Sequence, residues 1–337
     1  MNVDSLFIGF NLAILSGMLD GSMASPMQLA KSWRWENIWL VYSLFGMLLV
    51  PWSFAFFALE DPLHIYELAP RSALYAAFVF GGGWGIGSIL FGTGITLAGM
   101  SFGYATVVSL TAVLGSLIPM IILNPTKLRT FQGNIIIVAL FVLLIGVSLC
   151  SLAASRRKEQ KPLLKRERTH FLLGLIACVA AGFFSPMLNL AFAFGFPISA
   201  TALSYGSGDI GASLALLNIV LLAGFVPNVI YSLFLLRKNR TSNEFFQAGS
   251  VSNWFYGFLM GLLSFGAFLV YGIANVYLGP MGPVVGWPIY MAVVILTANF
   301  WGLIRGEWSK ADKKTMILLF SGLSVIVVAI YLVSLGQ

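Results

Sequence analysis

Residues 16–30 read SGMLDGSMASPMQLA and lie within the first long apolar segment of the chain. Asp20 stands about fifteen residues into that segment, roughly 22 Å at the rise of a helix. It is the one acid that falls well inside the hydrocarbon, and a carboxyl at that depth is too costly to leave against lipid. It is therefore expected to face a cavity or a partner. Pro26 follows less than two turns later, and a proline in a helix interior removes one backbone hydrogen bond and kinks the helix. The triplet Ser25-Pro26-Met27 returns 160 residues on as Ser185-Pro186-Met187. A proline-broken first helix that occurs twice points to a transporter made of two repeats.

Composition agrees with that class. The 337 residues are 59% hydrophobic and 9% charged, with a mean hydropathy of +0.91. A soluble chain of this length needs far more charge to cover its surface, so the fold class is an all-α polytopic membrane protein. Most of the net charge of +7 sits in short loops, which indicates topology and lipid headgroup contact rather than nucleic acid. Cys150 and Cys178 lie in apolar spans and read as buried structural thiols, without a disulfide framework. His64 and His170 stand at span edges, so neither a metal cluster nor a cofactor is expected. No Lys or Arg precedes the first apolar run, which is expected to stay as a helix rather than be cleaved as a signal peptide.

A bilayer is crossed by about 20 apolar residues. Ten segments qualify: 5–29, 36–59, 71–97, 99–122, 130–153, 170–194, 208–236, 252–275, 281–304 and 314–335. The polar, glycine-rich stretch 195–207 is expected to be a loop before the seventh span. Sixteen of the nineteen Lys and Arg fall on one side of this arrangement, leaving Arg71, Lys127 and Arg129 on the other. The positive-inside rule then puts both termini outside the cytoplasm and the basic linker 154–169 inside it, with Trp33, Trp35 and Trp39 as an aromatic belt at the inner face. Each half, 1–153 and 170–337, has five spans, so two similar halves must be inverted relative to one another. Phe91-Gly92 and Leu97-Ala98-Gly99 match Tyr271-Gly272 and Tyr277-Leu278-Gly279 at a constant offset of 180, which supports an inverted repeat.

Asp20 shares a helical face with Ser16, Met23 and Met27, and no Lys, Arg or His lies at similar depth. Apolar surroundings penalise a charged carboxyl, which suits it to taking up and releasing a proton. It reads as a proton-coupling and substrate-hydroxyl site. Within FVFGGGWGIGSILFGTGI (78–95), the Gly81/Gly85 and Gly83/Gly87 spacings allow close helix packing. Trp84 and Ser88 share a face there and could line a cavity. No strand precedes these glycines, so they are not a nucleotide-binding loop. Asn189, Tyr271, Asn275, Trp287, Tyr290 and Asn299 offer the amides, hydroxyls and aromatic faces that sugars use, interhelical hydrogen bonding being the alternative. Pro280, Pro283 and Pro288 bend the start of the ninth span. Asp209 is expected to cap the seventh helix, and Glu307 to form a local ion pair or a surface charge. Nothing in the sequence pairs a nucleophile with a base, so no enzyme is expected.

The run Pro26-x4-Lys31-Ser32-Trp33-x-Trp35-Glu36-x2-Trp39, continuing to Pro51-Trp52, resembles the bacterial L-rhamnose–proton symporter family. So do Phe80-Gly81-x2-Trp84-Gly85-Ile86-Gly87, Gly99-Met100-Ser101-x-Gly103 and Gly302-Leu303-x3-Glu307-Trp308. The resemblance spans nearly the whole chain. It implies the drug/metabolite transporter fold, with ten helices in two inverted five-helix halves, a central site and alternating access. The implied activity is proton-linked uptake of L-rhamnose or a close analogue across the bacterial inner membrane. The coupling ion would be H⁺, the partners a sugar and membrane lipids, with no obligate protein partner. Ser264 and Ala267 stand where the family resemblance leads one to expect a bulkier aromatic and an amide, which bears on the sugar taken. An exporter of small metabolites or drugs, or a sodium-coupled sugar carrier, is the alternative on the same fold.

Overall fold

The computed structural model describes residues 3–59, 61–98, 100–157, 165–247 and 249–336, with only the backbone described at Val3, 100–102 and 165–170. No strand occurs among the described residues. Thirteen α-helices are present among them: α1 (Val3–Met23), α2 (Trp35–Ser43), α3 (Val50–Ala58), α4 (Pro62–Leu68), α5 (Arg71–Ala98), α6 (Met100–Leu123), α7 (Phe131–Arg157), α8 (Lys165–Phe184), α9 (Met187–Ser204), α10 (Gly208–Asn239), α11 (Ser250–Leu278), α12 (Gly282–Ile304) and α13 (Lys313–Leu335). Nine helical stretches among the described residues are long and apolar enough to cross a membrane. One of them, Ser250–Ile304, contains both α11 and α12 on either side of the short turn Gly279–Met281.

The prolines act where their chemistry requires. After α1, Pro26 opens a four-residue 3-10 turn and the chain becomes extended at Ala30. Pro186 instead divides α8 from α9, and helix resumes at Met187. The two Ser-Pro-Met triplets therefore both break a helix, but only the first ends its span. Between α2 and α3 the backbone widens into a π turn, Leu44–Leu49, just before Pro51. Such a turn absorbs a carbonyl that a proline cannot bond.

The structure corrects the expected loop at 195–207. α9 continues through Pro197 to Ser204, leaving only Tyr205–Ser207 as a turn. Ile198, Ser199 and Ala202 are buried. Backbone polar groups at membrane depth must be satisfied internally, which outweighs the single bond that Pro197 removes. Asp209 is not the cap of α10 either. Ser207 occupies that position without a side-chain cap bond, and Asp209 lies in the first turn.

Glycines set the closest approaches. A Cβ on Gly81 would lie 2.8 Å from the Val220 Cα, and one on Gly85 2.8 Å from the Gly224 Cα, so α5 meets α10 backbone to backbone. On another face of α5, a Cβ on Gly87 would lie 2.7 Å from the Ser185 backbone nitrogen, and one on Gly83 would meet the Met187 sulfur. One glycine-rich helix thus packs against two partners through two interleaved spacings.

α1 lies against α11 and α12, while α8 and α9 lie against α5 and α6. At the periphery α7 pairs with α13, where Gly146 and Gly322 face one another. The loops that carry most of the Lys and Arg meet at one end of the bundle. The Lys31 N–H donates to Asn253 Oδ1, the Trp33 indole to the Glu244 carbonyl, and the Arg34 N–H to Glu244 Oε2. The Arg305 guanidinium donates to Gln28 Oε1 and to both the carbonyl and the hydroxyl oxygen of Ser25, and Arg157 pairs with Glu307. Of the expected belt, Trp33, Trp35 and Trp39 are all half-buried, and Trp39 donates to Asn228 Oδ1 at 2.8 Å. Cys150 and Cys178 are free and buried. The segment 158–164 of the linker, with Glu60 and Gly99, lies outside the described residues.

Candidate functional site

Asp20 sits on α1 where Gly17 and Gly21 bring that helix onto α12. A Cβ at Gly17 would be 2.7 Å from the Tyr290 carbonyl, and one at Gly21 2.7 Å from the Val294 carbonyl. That closeness delivers the half-buried Asp20 carboxylate to the Tyr290 hydroxyl, which donates to Oδ2 at 2.7 Å. Nearby, Ser16 ties α1 to α11 by donating to the Ala267 carbonyl at 2.8 Å.

Tyr290 is one member of an aromatic cluster. It stacks on Trp287 with centroids 5.1 Å apart, and Tyr271 lies 5.2 Å from Tyr290 and 5.7 Å from Trp287. Each polar tip has a specific partner. Tyr271 donates to Asn189 Oδ1 at 2.6 Å, and Trp287 to the Thr111 carbonyl at 2.9 Å. The Asn189 amide in turn donates to the Gly115 and Pro283 carbonyls, both at 2.8 Å. Pro119 inside α6 and Pro288 inside α12 leave the Gly115 and Val284 carbonyls without their donors four residues on. Asn189 from α9 supplies the first and the Ser116 hydroxyl, at 2.6 Å, the second. A continuous series of side-chain contacts, from Asp20 through Tyr290 and Tyr271 to Asn189, therefore connects α1 with α6 and joins both halves.

The remaining sequence candidates separate from this cluster. Asn275 donates to the Tyr271 carbonyl one turn back, and its buried Oδ1 has no partner among the described residues. Trp84 packs edge-on against Phe268, 5.3 Å away. Ser88 donates to Asn228 Oδ1 and the Gly85 carbonyl rather than facing open space, so it belongs to a second network with Trp39. Asn299 bonds the Ile295 carbonyl and lines a cavity of about 150 Å³ nearer the basic end. A cleft of about 670 Å³ between α1, α12 and α13 is walled by Met18, Val293, Leu296 and Phe300, an apolar surface unlike a sugar site.

Sequence reasoning passed over Asn228, Asn218 and Tyr42. Asn218 is fully buried and neither amide atom has a partner among the described residues. Tyr42 shares a hydrogen bond of 3.2 Å with Ser264. Polar residues inside apolar spans were the available signal, and these three meet it as well as Asn189 does.

Apolar helices long enough to span a bilayer, wrapped around an acid hydrogen-bonded to a tyrosine across two helices, define a polytopic membrane protein with a polar core. The chain belongs to the L-rhamnose-proton symport protein family, whose model matches residues 4–337. It is 28% identical over 320 residues to the L-rhamnose-proton symporters of Yersinia pestis strain Pestoides F and Yersinia pseudotuberculosis serotype O:1b, covering 93% of each chain. The L-rhamnose-proton symporter of Salmonella typhi is 27% identical over the same length, also with 93% of each chain covered.

Proposed function

We propose that this protein is a secondary active transporter of the bacterial cytoplasmic membrane that takes up L-rhamnose or a closely related sugar together with a proton. Family membership indicates the activity, and the observation that carries the site assignment is the Asp20–Tyr290 hydrogen bond. With Asp20 ionised, the Tyr290 hydroxyl is held by the carboxylate. Protonation of Asp20 weakens that demand and frees the hydroxyl for a sugar oxygen. Proton and sugar then favour one another's binding by the same factor, as coupling requires. Tyr271, Trp287 and Asn189 form the surrounding wall, with Asn299 further along toward the basic end. Asn275 is bonded within its own helix, and Trp84 and Ser88 are held by partners outside this cluster.

The architecture in this reading is ten spans in two inverted halves, 1–153 and 170–337, joined by the linker 154–169. Two features support it. The ends of α5 and α11, Ala98 and Leu278, are 180 residues apart, the same offset that relates Phe91-Gly92 to Tyr271-Gly272. The packing of α1 on α11 and α12 is also mirrored by that of α8 and α9 on α5 and α6, as a two-fold exchange of halves demands. Rocking of the halves would expose the site alternately to each side. The basic end faces the cytoplasm, and both termini lie outside it.

The test is charge movement in proteoliposomes on a supported membrane, with L-rhamnose added in the absence of sodium. Wild type is expected to give a sugar-specific current, Asp20→Asn none. Tyr290→Phe keeps the ring stack but loses the hydroxyl that protonation of Asp20 frees for the sugar, a hydrogen bond worth about 0.5–1.5 kcal/mol. It is expected to weaken apparent sugar affinity by up to roughly tenfold. An undiminished proton current in Asp20→Asn would move the coupling site elsewhere.

A further inference from the structure

The Asp20–Tyr290 site leaves a cavity at the basic end unexplained. It lies between α6, α7 and α12, and its walls include Tyr104, Cys150, Asn299, Arg157, Glu307 and Trp308. Asn299 lies nine residues beyond Tyr290 on α12, roughly 13 Å along the helix, while Arg157 and Glu307 stand at the opposite, loop-facing end. Arg157 ends α7 and Glu307 follows α12, so the pair bridges elements 150 residues apart, with Nη1 donating to Oε2 at 2.9 Å. The Arg157 guanidinium also lies 4.6 Å above the buried Trp308 ring. An arginine held at once by a carboxylate and an aromatic face is fixed in place more firmly than an exposed ion pair alone would hold it.

We propose that this cavity is the vestibule through which substrate leaves the central site, and that the Arg157–Glu307 pair on Trp308 is its gate. The identity of the substrate as a sugar rests on the function proposed above; the gate itself does not. The pair is a connection that must break for the end of α7 to part from the α12–α13 turn, and the cavity beneath it is lined by Asn299, Tyr104 and Glu307. Those are the groups a polyol needs on its way out, in a space walled by helices from both halves.

Cys150 lines the cavity and reports on its opening; Cys178, buried elsewhere against α5, is the internal control. The experiment uses the full chain in nanodiscs and follows alkylation of each cysteine by a charged, water-soluble maleimide, resolved by mass spectrometry. Glu307→Gln and Arg157→Gln are each expected to speed modification of Cys150, but not of Cys178, by roughly three- to tenfold. That is the shift in open population expected from losing a partly exposed pair backed by an aromatic ring. The exchanged double variant, Arg157→Glu with Glu307→Arg, is expected to return Cys150 to within about twofold of wild type. Glu307→Asp, which keeps the charge and shortens the reach, replaces the neutral variants if they fail to fold, and is expected to open Cys150 alone. Unchanged Cys150 labelling in the single variants, or a double variant that labels as fast as they do, would overturn the gate. Failure of the wild-type rhamnose current would instead overturn the sugar assignment and leave the labelling result standing.

Discussion

Asp20 carries a charge only where a donor meets it, and the donor comes from a residue 270 positions away. Its own helical face could not supply one, because Ser16, Met23 and Met27 offer a single hydroxyl, which is bonded to Ala267. The reach of Tyr290 depends on Gly17 and Gly21, whose missing side chains let α1 settle on α12. A second carboxylate finds its partner close by in the chain. Asp312 caps α13 by accepting from the Thr315 N–H at 3.0 Å, three residues ahead. Its hydrogen bonds with Thr315 hold the carboxyl below the ordinary carboxylate range. The cap is therefore complete above that range and is lost as pH falls through the lowered value. Asp312→Ala is expected to speed amide exchange in the first turn of α13 at neutral pH, while Asp312→Asn, which can still accept, stays near wild type. Exchange in the wild type should approach that of Asp312→Ala only in strong acid.

Among the elements, α5 shows most directly how composition becomes packing. Gly81 and Gly85 face the α10 backbone, whereas a Cβ on the adjacent Gly82 would find its nearest neighbour, the Ala223 carbonyl, at 3.9 Å. Gly85→Leu is expected to force α5 from α10 and cost about 1–3 kcal/mol or more, read as a fall in the thermal midpoint in detergent. Gly82→Ala should leave that midpoint unchanged or raise it slightly, since alanine favours helix over glycine by about 0.5–1 kcal/mol. Equal losses in the two would mean that the glycines matter for something other than close approach. The spacing of these glycines is legible in the sequence, because a period of four is a property of the chain. Which partner each pair meets is not. Gly83 and Gly87 face the α8–α9 break, and no local rule connects residue 87 with residue 185. Pro197 misleads for a related reason. A proline among polar and glycine residues looks like a loop until burial of Ile198 and Ala202 supplies a reason for the helix to persist.

For the whole molecule, the asymmetry of Lys and Arg and the mutual contact of their loops agree that the chain has one basic end. Sidedness follows if that end is cytoplasmic. A cysteine introduced as Glu67→Cys is expected to react with an impermeant reagent on intact cells, and one introduced as Ser309→Cys only after the membrane is opened. Both positions are exposed, so reversed labelling would turn the whole assembly over.

Membrane residence, the breaks at the two Ser-Pro-Met triplets and the glycine spacings were legible in the order of residues alone. Each is local: twenty apolar residues must leave water together, a proline lacks its N–H wherever it stands, and a missing Cβ is missing in any context. The pairing of Asp20 with Tyr290, the bonds of Asn189 to Tyr271 and two carbonyls, and the bridge from Arg157 to Glu307 were decided only by tertiary structure. A buried polar atom takes whichever partner the packing brings within about 3 Å, and that partner lies on another helix, at no fixed distance along the chain.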